Sequence, residues 1–363
     1  MIKPREPIFN VTPYVPGKPS EQVKKEFNLD KVVKLASNEN PIGTSQKVID
    51  ALIEYIKTGV NIYPDGSSIE IRKQIAEHFD LKPENILMSN GADDALGVIA
   101  QTFLEEGDEV LISEYSFARY GDNSKIMGAT IREIPMKDFR FNLEAMKEAI
   151  NEKTKLIWIC NPNNPTGTML TENEVIPFIE SVPENILIVY DAAYGEYVTS
   201  DKYPKDSIHF FQRYPNVLTV KTFSKIYGLA GLRVGYVVST PEINDFLNRT
   251  RQPFNCNALS QLAAGVALED EDFIKKVYEV NKEGKEYLYG LFAELNLPYV
   301  ESEANHIFFE TPGIPSQDLF HALEKEGVIV RPQKNSYTRL TIGTTEENKF
   351  FAEKLKKVLG ELK

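Results

Sequence analysis

One segment of the chain combines the residue types needed to bind a carbonyl compound covalently and to hold a phosphate. It covers residues 222–233, reads TFSKIYGLAGLR, and follows an apolar stretch at residues 217–221. The amine of Lys225 suits imine formation with a cofactor such as pyridoxal phosphate, and Ser224 and Arg233 suit its phosphate. The two internal glycines permit the tight backbone that this requires. A Ser-Lys pair alone is usually a solvated surface pair, but the complete pattern is far more specific.

Two further apolar stretches end in polar side chains that suit the same cofactor. KLIWIC at residues 155–160 leads into NPNNPTG, where the amide of Asn164 can donate to the cofactor's phenolate oxygen. ILIVY at residues 186–190 leads into Asp191, whose carboxylate can pair with a protonated pyridine nitrogen and keep the ring an electron acceptor. Tyr194 can donate to the same oxygen as Asn164. A turn and an N-cap aspartate would explain these residues singly; together with the lysine segment they predict a cofactor site.

A fourth position gives a weaker signal, a glycine between a predicted strand and a predicted helix. Residues 89–93 read SNGAD, and the backbone N–H groups of Gly91, Ala92 and Asp93 would point at an anion bound at the helix N-terminus. Because every α/β protein has several turns of this kind, the segment supports a phosphate site without establishing one.

The elements that must position these residues form an α/β pattern. From about residue 44, helical segments alternate with apolar runs at 86–89, 110–113, 155–160, 186–190, 217–221 and 234–238. These runs lack polar alternation, which favours strands of a mostly parallel sheet covered by helices on both faces. Ligands bind such sheets at the carboxyl ends of the strands, where the polar residues stand.

The pattern divides the chain into three parts. Residues 1–40 are predicted to form an arm packing on a small domain, and residues 41–270 a large cofactor-binding domain. Residues 271–363 are predicted to form the small α+β domain, with strands near 306–310, 328–331 and 339–342 and a helix near 345–359.

Composition excludes several other kinds of protein. The chain has 363 residues, a net charge of −12 and a pI near 5.1, which disfavours nucleic acid and anionic lipid as general partners. The two cysteines, Cys160 and Cys256, offer neither a disulfide framework nor zinc-ligand spacing, so no metal site is predicted. We find no signal-peptide pattern and no apolar run long enough to cross a bilayer, and we therefore expect a cytoplasmic protein.

The motifs NPNNPTG, YDAAY and TFSKIYGLAGLRVGY together resemble the fold-type I pyridoxal-phosphate aminotransferases of class I/II, from about Leu35 to Gly343. This resemblance implies a large domain with a seven-stranded, mostly parallel sheet and a smaller α+β domain. Three further segments resemble the histidinol-phosphate aminotransferase branch: LASNENP at 35–41, YPDG at 63–66, and Arg331 with RLTIGT at 339–344.

The resemblance also implies roles for individual residues. Lys225 holds the cofactor as a Schiff base and shuttles the proton, Asp191 pairs with the pyridine nitrogen, and Asn164 and Tyr194 contact the phenolate oxygen. The remaining cofactor contacts would come from Ala92, Asp93, Ser224 and Arg233 at the phosphate, from Tyr115 stacked on the ring, and from Tyr63 reaching the other subunit's cofactor in a homodimer.

For the substrate, the branch implies amino transfer between L-histidinol phosphate and 2-oxoglutarate in histidine biosynthesis. Guanidinium groups suit carboxylate and phosphate alike. We therefore expect an adaptable anion pocket from Arg331 and Arg339, with Tyr14 and Asn38 nearby, although Arg331 would otherwise be an ordinary solvated strand end.

Three alternatives stay open from sequence. An aromatic amino-acid aminotransferase is the main one, because the linker PQKNSYT lacks the branch's usual glycine and His306 stands where an aromatic or aliphatic residue is expected. Threonine-phosphate decarboxylase ranks lower, since the lysine segment is more similar to the aminotransferases. A cofactor-sensing transcription regulator is disfavoured by the acidic composition.

Overall fold

The computed structural model describes residues 2–13 and 17–362, over which helices and strands alternate. The strands are β1 (Val33–Lys34), β2 (Ile86–Ser89), β3 (Glu109–Ser113), β4 (Thr130–Ile134), β5 (Thr154–Cys160), β6 (Leu187–Asp191), β7 (Val217–Thr222), β8 (Gly235–Val238), β9 (Tyr299–Val300), β10 (His306–Glu310), β11 (Val328–Ile329), β12 (Arg331–Pro332) and β13 (Tyr337–Thr341). The α-helices are α1 (Ser20–Glu26), α2 (Gln46–Ile56), α3 (Ile69–His78), α4 (Ala92–Phe103), α5 (Ala118–Ile126), α6 (Leu143–Ala149), α7 (Glu172–Ser181), α8 (Phe210–Arg213), α9 (Pro241–Thr250), α10 (Ala258–Leu268), α11 (Glu271–Glu294), α12 (Ser316–Lys325) and α13 (Thr345–Leu362).

The large sheet has seven strands in the order β2-β8-β7-β6-β5-β3-β4. The pairs from β4 through β7 are parallel, and β8 is antiparallel to both β7 and β2. The predicted seven-stranded, mostly parallel sheet is confirmed. In the register, Cys160 pairs with Asp191 and Asp191 with Val220, so the carboxyl ends of β5, β6 and β7 lie side by side.

The central strands of this sheet are apolar because both faces are covered. Leu156, Ile157, Trp158 and Ile159 of β5 are fully buried, and the aliphatic residues of β6 and β7 are buried as well. The edge strand β4 was not predicted from sequence. It reads TIREI and is largely exposed apart from Ile134, so it lacks the apolar run by which the other strands were recognised.

The small domain is an antiparallel sheet in the order β12-β13-β10-β9, packed against helices. Its core joins Phe292 of α11 to Ile307 of β10, Leu340 of β13 and Phe351 of α13. The long α11 has 24 residues and leads from the large domain into this unit. The strands expected near 306–310, 328–331 and 339–342 correspond to β10 through β13.

The N-terminal arm contacts both domains. Strand β1 pairs with β11 of the small domain, and Lys18 forms an ion pair with the buried Glu324 at 3.1 Å. A short 3-10 helix, Glu6–Asn10, lies instead against α5 of the large domain, where Arg5 donates to the carbonyl of Ile126. The arm was expected to pack on the small domain, and it contacts the large domain as well; the domain boundaries at 40 and 270 stay predictions.

Candidate active site

A cavity of about 210 Å³ opens at the carboxyl ends of β5, β6 and β7. The large domain provides most of its wall, and the segment after β1 and strand β13 close it from the other side. The lining residues are Ala36, Ser37, Asn38, Ala92, Asp93, Leu96, Phe117, Tyr120, Cys160, Asn164, Asp191, Ala193, Tyr194, Thr222, Ser224, Lys225, Arg233 and Arg339.

Lys225 stands three residues beyond the end of β7 and reaches across the cavity. Its Nζ lies 3.3 Å from the backbone carbonyl oxygen of Asn38 and 3.4 Å from that of Ser37. Removal from water, and secondly the guanidinium of Arg339, lower the pKa of Lys225 to about 8. Such an amine has a far larger uncharged fraction near neutral pH than an ordinary lysine, and is correspondingly more nucleophilic.

Asp191 ends β6 and is buried at the floor of the cavity. The hydroxyl of Tyr120 donates to Oδ2 at 2.7 Å, and the backbone N–H of Ala193 donates to Oδ1 at 3.0 Å. Tyr120 is itself held by stacking on Trp158, with ring centroids 5.0 Å apart. Burial raises the pKa of Asp191 although both hydrogen bonds oppose the rise. A buried carboxylate of this kind is stabilised by a cationic partner.

An anion cradle forms where α4 begins. Gly91, the N-cap of α4, has a φ of 85°, and a Cβ there would lie 2.5 Å from Nη2 of Arg233. Arg233 also donates to the hydroxyl of Ser224 at 3.3 Å. The guanidinium, the serine and the free N–H groups of a 12-residue helix thus meet at one place, where a phosphate is favoured.

The opposite wall holds a hydrogen-bond network around Tyr194. Nδ2 of Asn164 lies 3.3 Å from its hydroxyl and Nδ2 of Asn38 lies 2.9 Å from it. Arg339 donates from Nη1 to Oδ1 of Asn164 at 2.7 Å and from Nη2 to the carbonyl of Ala36. This network ties a strand of the small domain to the motif that follows β5.

Among the expected cofactor residues, Ala92, Asp93, Asn164, Asp191, Tyr194, Ser224, Lys225 and Arg233 all line the cavity. Tyr115 does not. It packs edge-on against Phe139 and Phe308, with ring centroids 5.8 Å away in both cases. Phe117, two residues further on, lines the cavity instead. The expected stacking by Tyr115 therefore has no support in this geometry, because the backbone after β3 turns the later aromatic inward.

Tyr63 also lies away from the cavity of its own chain. Its side chain is 79% exposed and stacks on Phe254, with centroids 4.7 Å apart.

Of the expected substrate residues, Arg339 and Asn38 line the cavity. Arg331 does not line it, but it pairs directly with Arg339 across β12 and β13. Directly opposed residues of antiparallel strands place their side chains on the same face of the sheet, so Arg331 faces the cavity side. Tyr14 lies outside the described residues.

Several residues at the site were not predicted to belong to it: Phe117, Tyr120, Cys160 and Thr222 in the lining, and Asn305 and His306 behind it. A usable signal existed for the two aromatics, because they follow the end of β3 at the same edge of the sheet as the other polar motifs. Within residues 2–13 and 17–362, no group of three His, Cys, Asp or Glu could hold a metal ion. No helix in the same part of the chain is long and apolar enough to cross a membrane.

Comparison with known proteins shows similarity over nearly the whole chain. The family model for aminotransferase class I and II matches residues 30–355. Histidinol-phosphate aminotransferase from Moorella thermoacetica is 43% identical over 362 residues, covering 99% of this chain and 93% of that protein. The enzyme of the same name from Caldicellulosiruptor saccharolyticus is 42% identical over 359 residues, covering 98% and 99%.

Solved structures show the same fold. Histidinol-phosphate aminotransferase from Sinorhizobium meliloti, in complex with pyridoxal-5'-phosphate, superposes with a TM-score of 0.91 at 26% identity, covering 100% of this chain and 99% of that one. Aspartate aminotransferase from Thermus thermophilus with maleate gives a TM-score of 0.85 at 21% identity, covering 99% and 100%, and shows the shared fold alone.

Proposed function

The chain belongs to the class I and II aminotransferases, and we propose that it transfers an amino group between L-histidinol phosphate and 2-oxoglutarate, with pyridoxal phosphate bound at Lys225. The observation that supports this most strongly is the meeting of three unlike groups in one cavity. These are an amine of lowered pKa, a buried carboxylate and an anion cradle.

The residues present fit pyridoxal phosphate. Ser224, Arg233 and the first N–H groups of α4 would hold its phosphate, and Asp191 would face its pyridine nitrogen. Phe117 would pack on the ring, in place of the Tyr115 expected from sequence. When bound, the cofactor supplies a carbonyl carbon that takes up the amino group and a ring that withdraws electrons from the substrate.

The protein's own side chains then handle the protons. The Nζ of Lys225, with a pKa of about 8, can accept a proton from the substrate carbon that bears the amine and return it on the other side of the reaction. The Asp191 carboxylate, held in place by hydrogen bonds from Tyr120 and Ala193, would keep the facing pyridine nitrogen positively charged. Tyr194 and Asn164 offer donors to an oxygen anion on the opposite wall.

Substrate choice rests on the two arginines of β12 and β13. Arg339 lines the cavity and is anchored by Asn164, while Arg331 lies beside it on the same face. A guanidinium fork binds phosphate and carboxylate by paired hydrogen bonds, so two adjacent forks suit both the phosphate of histidinol phosphate and the carboxylates of glutamate. The names of the most similar relatives support the same donor.

The assembly that we propose is a homodimer. Tyr63 and its stacking partner Phe254 form an exposed apolar patch, and further exposed apolar side chains stand nearby in the chain at Ile49, Ile53, Ile56 and Ile62. A second copy would cover this patch and receive Tyr63 at its cofactor phosphate. We also propose a cytoplasmic location, which the free and buried Cys160 and Cys256 support.

The substrate is tested by measuring kcat/KM for histidinol phosphate, phenylalanine and tyrosine with 2-oxoglutarate. Two paired hydrogen bonds to phosphate predict a preference for histidinol phosphate of about 100-fold or more. A preference of less than about threefold would reject this substrate in favour of an aromatic amino-acid aminotransferase. Release of CO₂ from threonine phosphate would instead indicate the decarboxylase.

The placement of Tyr63 is tested in mixed dimers of a Lys225→Ala chain and a Tyr63→Ala chain. In a mixed dimer, the site with an intact Lys225 receives the intact Tyr63 of the other chain. We expect that site to bind the cofactor as tightly as the unmodified protein, whereas the Tyr63→Ala homodimer binds it more weakly. Equal weakness in both assemblies would show that Tyr63 does not act across the interface.

A further inference from the structure

His306, the first residue of β10, is fully buried behind the cavity, and the transfer reaction as described gives it no role. Its Nδ1 lies 3.0 Å from Nδ2 of Asn38. Its ring meets that of Tyr194 edge-on, with centroids 5.1 Å apart. Within the described part of the chain its Nε2 makes no hydrogen bond of standard geometry, although the backbone carbonyl of Asn163 acts on the ring. A buried imidazole with one bonded nitrogen, against a residue that would face the cofactor, calls for a physical explanation.

The hydroxyl of Tyr194 has two amide neighbours, Asn164 and Asn38. Asn164 is fixed in orientation, because its Oδ1 faces Arg339, a group that only donates; its Nδ2 must therefore face Tyr194. Asn38 also presents its Nδ2 to the hydroxyl. The tyrosine oxygen thus accepts two N–H groups, and its own proton stays available for a ligand in the cavity.

The side-chain amide of Asn38 makes three contacts, with Thr341, Tyr194 and His306. Its Oδ1 accepts from the hydroxyl of Thr341 at 3.0 Å, and Thr341 in turn accepts the backbone N–H of Asn38 at 2.9 Å. Its Nδ2 has two protons, one for Tyr194 and one for His306. The arrangement requires that Nδ1 of His306 carry no proton. If Nδ1 of His306 carried a proton, the side-chain amide of Asn38 would have to flip so that its oxygen faced His306. That oxygen would then also accept a hydrogen bond from the hydroxyl of Tyr194.

The surroundings of His306 keep it uncharged. Burial, then the guanidinium of Arg339 and the amine of Lys225, lower the pKa of His306 well below its usual range. The backbone carbonyl of Asn163 acts in the opposite direction and is outweighed. Since Nδ1 accepts from Asn38, the single ring proton belongs on Nε2.

We propose that His306 is a positioning residue for amino transfer: neutral and protonated on Nε2, it holds the amide of Asn38 in one orientation and so reserves the hydroxyl proton of Tyr194 for the cofactor's phenolic oxygen. The proposal rests on the proposed binding of pyridoxal phosphate at Lys225. It is independent of which amino donor the enzyme uses.

The tautomer is tested directly by imidazole ¹⁵N NMR on the full chain, both loaded with cofactor and free of it. The chain has only four histidines, so the signal of His306 is assigned by its loss in His306→Phe. We expect the neutral Nε2–H pattern to persist from about pH 5.5 to about pH 8.5, where an exposed histidine titrates. A proton on Nδ1, or titration within that range, would overturn the proposal. Because cofactor-free protein gives the reading, this test is separate from the proposed function.

The link to Tyr194 is tested by titrating the visible absorption of the cofactor bound at Lys225. A donor to the phenolic oxygen stabilises its anion, so Tyr194→Phe should raise the apparent pKa of the spectrum by about one to two pH units. His306→Phe should raise it in the same direction by about half a unit or more. His306→Asn, which returns an acceptor near the Nδ1 position, should restore most of the original value.

The double variant His306→Phe with Tyr194→Phe should titrate like Tyr194→Phe alone, because His306 acts through that hydroxyl. His321→Phe, on the exposed side of α12, is the matched control and should leave the spectrum unchanged. Full additivity in the double variant, or an unaltered pKa in His306→Phe beside a raised one in Tyr194→Phe, would refute the proposal. Should His306→Phe fail to fold, His306→Asn and the NMR of the unmodified chain still decide the question.

Discussion

The two ends of the cavity are built in different ways. The cofactor end takes its groups from one sheet: Asp191 ends β6, Lys225 follows β7, and the anion cradle stands between β2 and α4. The substrate end takes Arg339 from the small domain and Asn38 from the arm. Groups that act on every substrate thus share one rigid support, while groups that select the substrate come from segments that can vary independently.

Arg339 joins the two ends. Its guanidinium faces the substrate side, donates to Asn164, and lowers the pKa of Lys225 through its charge. The cofactor end and the substrate end therefore differ in where their residues come from, but Arg339 contributes to the chemistry of both. Substitutions at each end can measure how far the division holds.

The largest effect is expected at the centre of the cofactor end. Lys225→Ala removes both the covalent attachment and the base, so kcat should fall by about 10⁴-fold or more. The visible absorption of the attached cofactor should vanish with it. Steady-state kinetics and absorbance spectra check this, with Lys205→Ala, an exposed lysine in a loop, as control. A retained visible band in Lys225→Ala would contradict the assignment.

The next largest effect belongs to Asp191. Asp191→Asn keeps the hydrogen-bonding shape but removes the charge opposite the pyridine nitrogen, and kcat should fall by about 10²- to 10³-fold for both the phosphorylated donor and glutamate. Kinetics with each substrate measure the loss, and Asp201→Asn at the surface is the control. A loss of kcat confined to one substrate would show that Asp191 acts at the substrate end, and would contradict the separation of the two ends.

Arg331→Ala should separate the ends most clearly. Loss of a guanidinium fork from a phosphate predicts a fall of about 10- to 100-fold in kcat/KM for histidinol phosphate, and a fall of less than about threefold for glutamate. Arg331→Lys keeps the charge without the fork and should be intermediate. Equal losses on both substrates would show that Arg331 has no selective role.

The smallest effect concerns pH and the shared residue. Only the uncharged amine attacks a carbonyl, and the pKa of Lys225 is about 8, so the rate at which cofactor-free protein takes up pyridoxal phosphate should rise with pH. The rise from pH 7 to pH 9 should be about tenfold and then level off, whereas an ordinary lysine would give about 100-fold without levelling. Stopped-flow absorbance measures the rate. Arg339→Ala should raise the pH at the midpoint of this rate profile, because it removes a charge that lowers the pKa of Lys225. An unchanged midpoint would show that Arg339 does not act on the cofactor end.

The cofactor end was predictable because its residues follow apolar runs directly. Each apolar run predicts a strand. Because the carboxyl ends of parallel strands lie at the same edge of a sheet, Asn164, Asp191 and Lys225 are predicted to lie close together. The same reasoning does not decide which aromatic residue after β3 faces the cavity. Tyr115 and Phe117 both stand in irregular backbone after β3, where no periodicity indicates which ring faces the cavity. The sequence favoured Tyr115, whereas Phe117 lines the cavity.

The substrate end resists prediction for a physical reason. Asn38 and Arg339 are 301 positions apart, and their approach depends on the parallel pairing of β1 with β11, which leaves two-residue strands with no pattern of their own. The edge strand β4 was missed because it is exposed. His306 was noticed only as an unusual residue, since its contact with Asn38 depends on the packing of β10 behind the arm.

The pairing of β1 with β11 also sets an order of assembly during synthesis. Val33 is synthesised 295 residues before its partner Val328. Chains grow at roughly 5 to 20 residues per second, so the arm waits for roughly 15 to 60 s before it can dock. The seven-stranded sheet can form in that interval, with Asp191, Lys225 and the anion cradle already in place. Ser37 and Asn38, whose backbone carbonyls contact the Nζ of Lys225, then dock last and complete the wall of the cavity.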